Sequence, residues 1–211
     1  PTRLLIVLGS GGHTAEMLSM LRKLDPERFL VDWAWRTYVV SEGDGFSAER
    51  AGEFEAGLVG RARRGGSGKG PRCYDIRVVP RARRIHQSLL TAPWSALQCL
   101  WSCFSVLSSP SLTRSTTSTT STTLYPSLIL TNGPGTAVIV LLASLLLRFF
   151  DVRGANSSGR MRSVYIESWA RVKKLSLSGR LVVRVVDRFV VQWEGLVERT
   201  GGRGEFLGVL V

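Results

Sequence analysis

Short apolar runs recur along the chain and alternate with stretches in which apolar residues return at helical spacing. The first run, Arg3 to Leu8, is nearly continuous and stops at a glycine, which is typical of a strand covered on both faces. His13 to Leu24 then follows a helical pattern that ends at Asp25-Pro26. Further strands are predicted at 35–40, 76–79, 127–131, 163–167 and 188–193. Strands that alternate with helices form a parallel sheet between helical layers, so the predicted fold class is α/β, a Rossmann-like doubly wound sheet.

Three polar stretches interrupt this alternation. Residues 61–72 are basic and rich in glycine, residues 108–123 form a serine and threonine tract, and residues 151–160 are polar. None of them contains enough apolar surface to offset the entropy lost on ordering. The sequence therefore predicts one Rossmann-like domain over residues 1–211, with disordered insertions in these three loops.

Residues 89–107 carry no formal charge and approach the length that spans a bilayer, about 20 residues. On a helix, however, one stripe is apolar and another is polar, so the segment is amphipathic. The apolar stripe contains Leu90, Trp94, Leu97, Trp101 and Phe104. Two interpretations remain open, a helix lying on a membrane surface and a core helix packed on the sheet. The second apolar run, 137–150, is too short to span and is predicted to be a buried helix.

The segment before this amphipathic helix is densely basic. Arg81, Arg83 and Arg84 are its last cations, and anionic headgroups attract such residues by about 1 kcal/mol each before screening. With Trp94, Trp101 and Phe104 they form the predicted membrane contact, in which tryptophans sit at headgroup level.

The composition suits one domain with an anionic partner. The 211 residues carry a formal charge of +12, which favours nucleic acid, an acidic membrane surface or a phosphorylated ligand. Three cysteines without CxxC spacing give no complete disulfide framework, so we expect reduced thiols, with Cys99 and Cys103 in the core. No metal site and no cofactor are predicted.

The stretch GSGGHT, residues 9–14, follows the first predicted strand and opens a helix. Its glycines permit close backbone approach, and the free N–H groups of a helix N-terminus attract an anion, typically a phosphate. A dinucleotide fingerprint would need a third glycine where Thr14 stands, with Glu42 or Asp44 on the ribose. Alone, this stretch is also explained by a plain tight turn.

A second stretch of the same kind, TNGPGT at residues 131–136, strengthens the phosphate interpretation. It also follows a strand and opens a helix, although Pro134 could serve simply as a helix start. Two such loops at the carboxyl edge of one sheet predict a diphosphate or an extended phosphorylated ligand. The predicted binding residues are Gly9, Ser10, Gly11, Gly12 and Thr14 in the first loop, and Asn132, Gly133, Gly135 and Thr136 in the second.

Two residues near these loops could move a proton. Glu167 follows another predicted strand and could either cap a helix or accept a proton from a sugar hydroxyl. His13 has a side chain that ordinarily titrates near neutrality, although a lone loop histidine is more often structural. His86, in the basic stretch, is predicted to lie at the surface.

Four segments in this order closely resemble one known family. They are LLIVLGSGGHTAEML, LILTNGPGTAV, VYIESWARVKKLSLSGRL and VDRFVVQW. The family is the membrane-bound subunit of the eukaryotic dolichol-pathway UDP-N-acetylglucosamine transferase, asparagine-linked glycosylation protein fourteen. More distantly, the glycine loops are similar to the acceptor-side domain of the bacterial lipid II glycosyltransferase.

The resemblance implies half of a split GT-B glycosyltransferase. This chain would be the acceptor-binding half, and a small separate subunit would supply the UDP-N-acetylglucosamine site, in a heterodimer or a larger complex. The complex would add the second N-acetylglucosamine to dolichyl-diphosphate-N-acetylglucosamine with inversion, and this chain alone would be inactive. The location implied is the cytosolic face of the endoplasmic reticulum membrane or the contiguous nuclear envelope. The family usually begins with an N-terminal membrane anchor, whereas this sequence starts at the first strand.

Within that family, the candidate residues take specific roles. His13 or Glu167 would activate the acceptor hydroxyl, and the two glycine loops would face the diphosphate or the sugar. The apolar end of the chain would pack on the partner subunit, although an internal edge strand explains it nearly as well. Its residues are Phe206, Leu207, Val209, Leu210 and Val211.

Three rival functions remain at this stage. A membrane scaffold would recruit an enzyme that carries every catalytic group, and a dinucleotide-dependent oxidoreductase would bind NADH at the first glycine loop. A nucleic-acid binder would interleave its aromatic and basic residues, whereas Trp94 and Trp101 lie in an uncharged helix. We therefore do not expect nucleic acid as a partner.

Overall fold

The computed structural model describes residues 2–64, 73–82, 92–109, 125–133 and 135–211. Residues 65–72 and 110–123, which make up most of two predicted insertions, lie outside this part of the chain. Arg83, Arg84 and the first three residues of the predicted 89–107 helix also lie outside it.

One parallel sheet runs through the described part of the chain. Its strands are β1 (Arg3–Val7), β2 (Trp35–Ser41), β3 (Cys73–Val79), β4 (Leu128–Asn132), β5 (Arg162–Ile166), β6 (Arg188–Val191) and β7 (Gly204–Phe206). Their order is β3-β2-β1-β4-β5-β6-β7, and every neighbouring pair is parallel. The predicted α/β class is confirmed. The edge strand considered for the apolar end of the chain, residues 206–211, is absent: β7 ends at Phe206, and residues 207–211 belong to no strand.

Helices cover both faces of the sheet. They are α1 (Gly12–Arg22), α2 (Pro26–Asp32), α3 (Gly45–Arg64), α4 (Ala92–Ser108), α5 (Gly135–Phe149) and α6 (Leu177–Val182). Asp25 ends the first helical pattern and starts the next, since its side chain accepts a 2.7 Å hydrogen bond from Arg28 N and Pro26 follows at the first helical position.

The alternation of side chains along β1 divides the core into two layers. Leu5 and Val7 pack in a cluster with residues of α4 and α5. Leu4 and Ile6 pack in a second cluster with residues of α1, α2 and α3. Both faces of β1 are therefore buried, which explains why Leu4 to Val7 form a continuous apolar run in the sequence.

All three predicted insertions contain ordered residues. The first residue of the second insertion, Ser108, is the last residue of α4. Residues 61–64 are the last turn of α3. Residues 151–160 form a hydrogen-bonded turn segment in which Asp151 Oδ1 accepts from Asn156 N at 2.7 Å and from Ser157 N at 2.9 Å. The segment is thus ordered by hydrogen bonds from its backbone to the Asp151 carboxylate, although it has few apolar residues to bury. Ala155 packs in the core and anchors the segment. The prediction of disorder is therefore wrong for residues 61–64, for Ser108 and for residues 151–160.

An ion pair inside the second core layer joins α3 to β2. Arg36 is 0% and Glu55 is 2% exposed. The guanidinium donates to both carboxylate oxygens, from Nε at 2.7 Å and from Nη2 at 2.8 Å, and Tyr38 Oη donates to Glu55 Oε1 at 2.8 Å. Burial, and then the negative charge of Glu55, raise the pKa of Tyr38, which keeps the phenol protonated as a donor.

Candidate functional site

Both glycine loops lie at the carboxyl edge of the sheet, next to each other. β1 and β4 are adjacent and parallel, and Val7 is paired with Thr131, so the chain leaves both strands at the same level. The loops meet through His13, since a Cβ built on Gly133 would lie 2.6 Å from His13 Cγ. The juxtaposition predicted from the sequence is therefore present.

The first loop presents backbone to solvent. Ser10, Gly11 and Gly12 are exposed, whereas Gly9 is buried. Gly11 has a φ of +60° and immediately precedes α1, whose N-terminus is not capped by a side chain. A side chain other than glycine is strained in that conformation, and an uncapped N-terminus leaves amide donors for an anion.

The two threonines predicted to face a ligand point into the protein instead. Thr14 is 0% exposed, and its hydroxyl donates to Gly9 O and lies 2.7 Å from Ser47 Oγ. Thr136 is buried, with its hydroxyl 2.8 Å from Ser41 Oγ. Both hydroxyls stabilise the loops, and neither lies at the exposed surface of the site. Gly135, beside Thr136, is exposed.

The second loop and α1 share a polar cluster centred on His13. His13 Nδ1 lies 3.1 Å from Asn132 Oδ1. Asn132 Nδ2 donates to Glu16 Oε2 at 2.9 Å, and Ser168 Oγ donates to Glu16 Oε1 at 2.9 Å. The side chain of His13 is about one third exposed. The cluster brings together residues from α1, β4 and the end of β5.

Glu16 and Ser168 were not predicted as site residues. Glu16 lies three positions after His13 on the same helix, which is the spacing that places two side chains on one face. Ser168 directly follows Glu167 at the end of β5. The i,i+3 spacing was therefore a usable signal for Glu16, whereas the contact with Ser168, 152 residues away, has no local sequence signal.

Glu167 is placed as a structural anchor. Its carboxylate is 1% exposed and accepts hydrogen bonds from Ser168 N at 3.2 Å, Ser176 N at 3.0 Å and Ser176 Oγ at 3.1 Å. Ser176 in turn caps α6 by accepting from Gly179 N at 2.9 Å. A carboxylate that is buried and already holds three donors is poorly placed to receive a substrate proton. The geometry favours His13 over Glu167 for that role.

Tyr165 connects the second loop to this anchor. Its hydroxyl donates to Gly133 O at 3.4 Å and lies 3.2 Å from Ser176 Oγ. Burial, and then the charge of Glu167, raise the pKa of Tyr165, so the phenol stays protonated. Gly133 is held in place by this buried donor. Gly133 and Asn132 were predicted to bind the ligand, but both are buried.

Most of the apolar stripe of α4 is exposed, and the core interpretation is not supported for that part of the stripe. Trp94 is 67% and Trp101 is 78% exposed, while Cys99 and Cys103 on the opposite side are buried in the core, as predicted. Phe104 is partly buried against the same core cluster. Across the described residues no helix is both long and apolar enough to pass through a bilayer.

A groove of about 370 Å³ opens beside the C-terminal half of α4. Its lining includes Trp101, Phe104, Tyr125, Val152 and Arg153. Phe149 and Phe150, at the end of α5, are also strongly exposed.

Arg81 lies at the carboxyl edge, where its Nε donates to Glu42 O at 2.8 Å. α5 buries one face, with Ala137, Val140, Leu141, Ala143 and Leu147 in the core, so the buried helix predicted for residues 137–150 is confirmed for that face only.

The C-terminal residues form a partly exposed apolar edge beside β6 and β7. Phe206, Leu207, Val209 and Val211 are exposed. Leu210 is different, because its side chain packs against the second core cluster and its amide donates to Gln192 Oε1 at 3.1 Å. The predicted partner surface is therefore available in four of its five residues.

The oxidoreductase alternative loses one of its two candidate ribose ligands. Asp44 accepts hydrogen bonds from Ser47 N at 3.2 Å and from Ser47 Oγ at 2.7 Å at the start of α3. Its carboxylate is committed to that helix, as a capping residue would be.

Comparison with known proteins gives one consistent family. A family model described as "Oligosaccharide biosynthesis protein Alg14 like" matches residues 4–210. The protein named UDP-N-acetylglucosamine transferase subunit alg14 from Aspergillus fumigatus is 40% identical, over 92% of this chain and 100% of the relative. The subunits of the same name from Schizosaccharomyces pombe and Homo sapiens are 36% and 34% identical, over 98% and 93% of this chain and 82% and 77% of the relatives. The chain thus belongs to the Alg14 family.

Proposed function

We propose that this chain is the membrane-associated, acceptor-binding subunit of a heteromeric N-acetylglucosaminyltransferase. The complex adds the second N-acetylglucosamine, from UDP-N-acetylglucosamine, to dolichyl-diphosphate-N-acetylglucosamine at the cytosolic face of the endoplasmic reticulum membrane. Membership of the Alg14 family carries the proposal, because the relatives are named as subunits of a UDP-N-acetylglucosamine transferase. The geometry of the carboxyl edge supports it.

The acceptor diphosphate binds at the glycine loops. The exposed backbone of Ser10 to Gly12 and the uncapped N-terminus of α1 offer amide donors and the positive end of a helix dipole. Gly135 opens α5 beside them. Arg81 lies at the same edge and adds positive charge. These groups suit an anion that is tethered to a lipid.

His13 is the general base of the proposed reaction. The acceptor hydroxyl oxygen attacks the anomeric carbon of the donor sugar, the bond from that carbon to the UDP oxygen breaks, and UDP leaves with the electron pair. The hydroxyl proton passes to the imidazole. Because attack occurs opposite to the leaving group, the configuration at the anomeric carbon is inverted.

A second subunit supplies the donor site. A GT-B cleft needs two Rossmann-like domains, and the described residues form one sheet with one carboxyl edge. The exposed C-terminal residues Phe206, Leu207, Val209 and Val211 provide apolar surface for that subunit. The proposal therefore includes inactivity of this chain alone.

Reconstitution with the small donor-binding subunit tests this function. We expect the two chains to co-purify, and only their complex to convert a short-chain lipid-diphosphate-N-acetylglucosamine acceptor and UDP-N-acetylglucosamine into a lipid-linked disaccharide. Each chain alone is the control. Absence of transfer by a stable complex, or transfer by either chain alone, would contradict the proposal.

The exposed stripe of α4 holds the site at the membrane. Trp94, Leu97 and Trp101 are exposed on the outer side of α4, the helix that covers one face of the sheet. Tryptophan favours the headgroup level of a bilayer. Arg153 at the adjoining groove can approach anionic headgroups. This arrangement matches a helix lying in the interface.

Binding to anionic vesicles tests the membrane contact. The double variant Trp94→Ala/Trp101→Ala is expected to reduce vesicle affinity by at least about tenfold, since burial of one large apolar side chain is worth about 1.5–3 kcal/mol. The matched control is Phe46→Ala, which removes an exposed aromatic ring from α3 on the opposite face. Equal binding by the double variant and the wild type, measured by flotation, would exclude this surface as the contact.

A further inference from the structure

The imidazole of His13 is held at one nitrogen by a chain of polar groups. Nδ1 is 3.1 Å from Asn132 Oδ1, and Asn132 Nδ2 is 2.9 Å from Glu16 Oε2. The other carboxylate oxygen of Glu16 accepts from Ser168 Oγ at 2.9 Å. Asn132 is fully buried, so its amide has little access to water as an alternative partner.

The chemistry of these groups fixes the direction of each hydrogen bond. An ionised carboxylate only accepts, so Asn132 must turn its NH₂ group towards Glu16 and its carbonyl towards His13. An amide carbonyl also only accepts, and Nδ1 must therefore carry the proton. The neutral ring then has an unprotonated Nε2.

We propose that Glu16 and Asn132 are positioning residues that hold His13 in the Nδ1-protonated tautomer and leave Nε2 as the proton acceptor. This inference rests on the proposed function, in which Nε2 receives the proton of the acceptor hydroxyl. As the new glycosidic bond forms and UDP departs, the ring becomes an imidazolium that still donates from Nδ1 to Asn132. The ring later returns its extra proton to water.

Glu16 acts through Asn132. Its nearer oxygen is 3.9 Å from His13 Nδ1, beyond hydrogen-bond distance, whereas both of its oxygens are engaged by Asn132 and Ser168. The absence of a Cβ at Gly133 lets the imidazole ring lie against the second loop. The ring is thus fixed by one hydrogen bond and one close packing contact.

Nitrogen NMR on the full chain with ¹⁵N-labelled histidine tests the tautomer directly. The sequence has two histidines, so the His86→Gln background leaves the signals of His13 alone. At a pH of about 8.5, above the ordinary titration range of imidazole, we expect mainly the Nδ1-protonated form. The isosteric Glu16→Gln variant should shift the population towards the Nε2-protonated form, because glutamine can accept or donate and no longer forces the orientation of the Asn132 amide.

The control is Glu53→Gln, which neutralises an exposed carboxylate on α3 and should leave the spectrum unchanged. In the active complex, Glu16→Gln should lower kcat at least about tenfold with little change in KM, since the wrong tautomer affects the chemical step. A wild-type spectrum dominated by the Nε2-protonated form, or an unchanged spectrum in Glu16→Gln, would overturn this inference. Failure of the wild-type complex to transfer sugar would instead reject the proposed function, which the spectrum does not measure.

Discussion

Replacing His13 with alanine is expected to lower the turnover of the reconstituted transferase by about 10²- to 10⁴-fold, the usual contribution of a general base. The side chain is the most exposed member of the polar cluster at the carboxyl edge, and Glu16 is hydrogen-bonded to both Asn132 and Ser168. The measurement is steady-state transfer to a lipid-diphosphate acceptor at saturating UDP-N-acetylglucosamine. Complex formation and vesicle binding should be unchanged, since neither surface includes this residue.

His86→Ala is the matched control, because it removes the other histidine of the sequence. Glu167→Gln provides the contrast, since its buried carboxylate accepts three hydrogen bonds and the variant leaves donors without a proper acceptor. That variant should lose about 1–3 kcal/mol of stability and retain more turnover per folded complex than His13→Ala. Unchanged turnover in both variants would favour a membrane scaffold whose partner carries every catalytic group.

Replacing Glu55 with alanine is expected to lower the free energy of unfolding by about 3–5 kcal/mol, a large part of the stability of an ordinary domain. The variant leaves Arg36 charged and buried without its bidentate partner, and it also removes the acceptor of Tyr38. Urea unfolding followed by far-ultraviolet circular dichroism measures the change.

An exposed pair on the same helix gives the control for this prediction. Arg50 and Glu53 are joined at 2.9 Å at the surface of α3, and Glu53→Ala should cost less than about 1 kcal/mol. The double variant Arg36→Met/Glu55→Leu should recover most of the stability lost in Glu55→Ala, since no charge is then left buried. Equal losses in Glu55→Ala and Glu53→Ala would show that burial does not determine the contribution of the pair.

The sheet was predictable from the sequence because strands buried on both faces are mostly apolar. Leu4 and Ile6 serve one core layer and Leu5 and Val7 the other, so the run carries a strong local signal. Residues 151–160 gave the opposite signal, because polar composition does not reveal that Asp151 holds two backbone amides in place.

The site was predictable only in part. Successive glycine turns after parallel strands indicated that two loops would meet, and His13 does contact Gly133. The roles of individual side chains depend on partners far along the chain. Glu16 accepts a hydrogen bond from Asn132, which lies 116 residues away. Glu167, a predicted base, already accepts a hydrogen bond from Ser176 Oγ. Local spacing does not encode such contacts, so residue types alone could not separate a catalytic group from an anchor.

The direction of α4 has a consequence for how a tethered substrate arrives. Ser95 Oγ donates to Ala82 O, just after β3, while Arg3 at the start of β1 donates to Val106 O near the other end of the helix. Trp94 is therefore the tryptophan closer to the rim that carries the glycine loops. If α4 rests on the bilayer as proposed, that rim stands at the height of the phosphates. The diphosphate-sugar headgroup of a polyisoprenoid substrate could then enter the rim by lateral movement, while the lipid tail stays in the hydrocarbon layer.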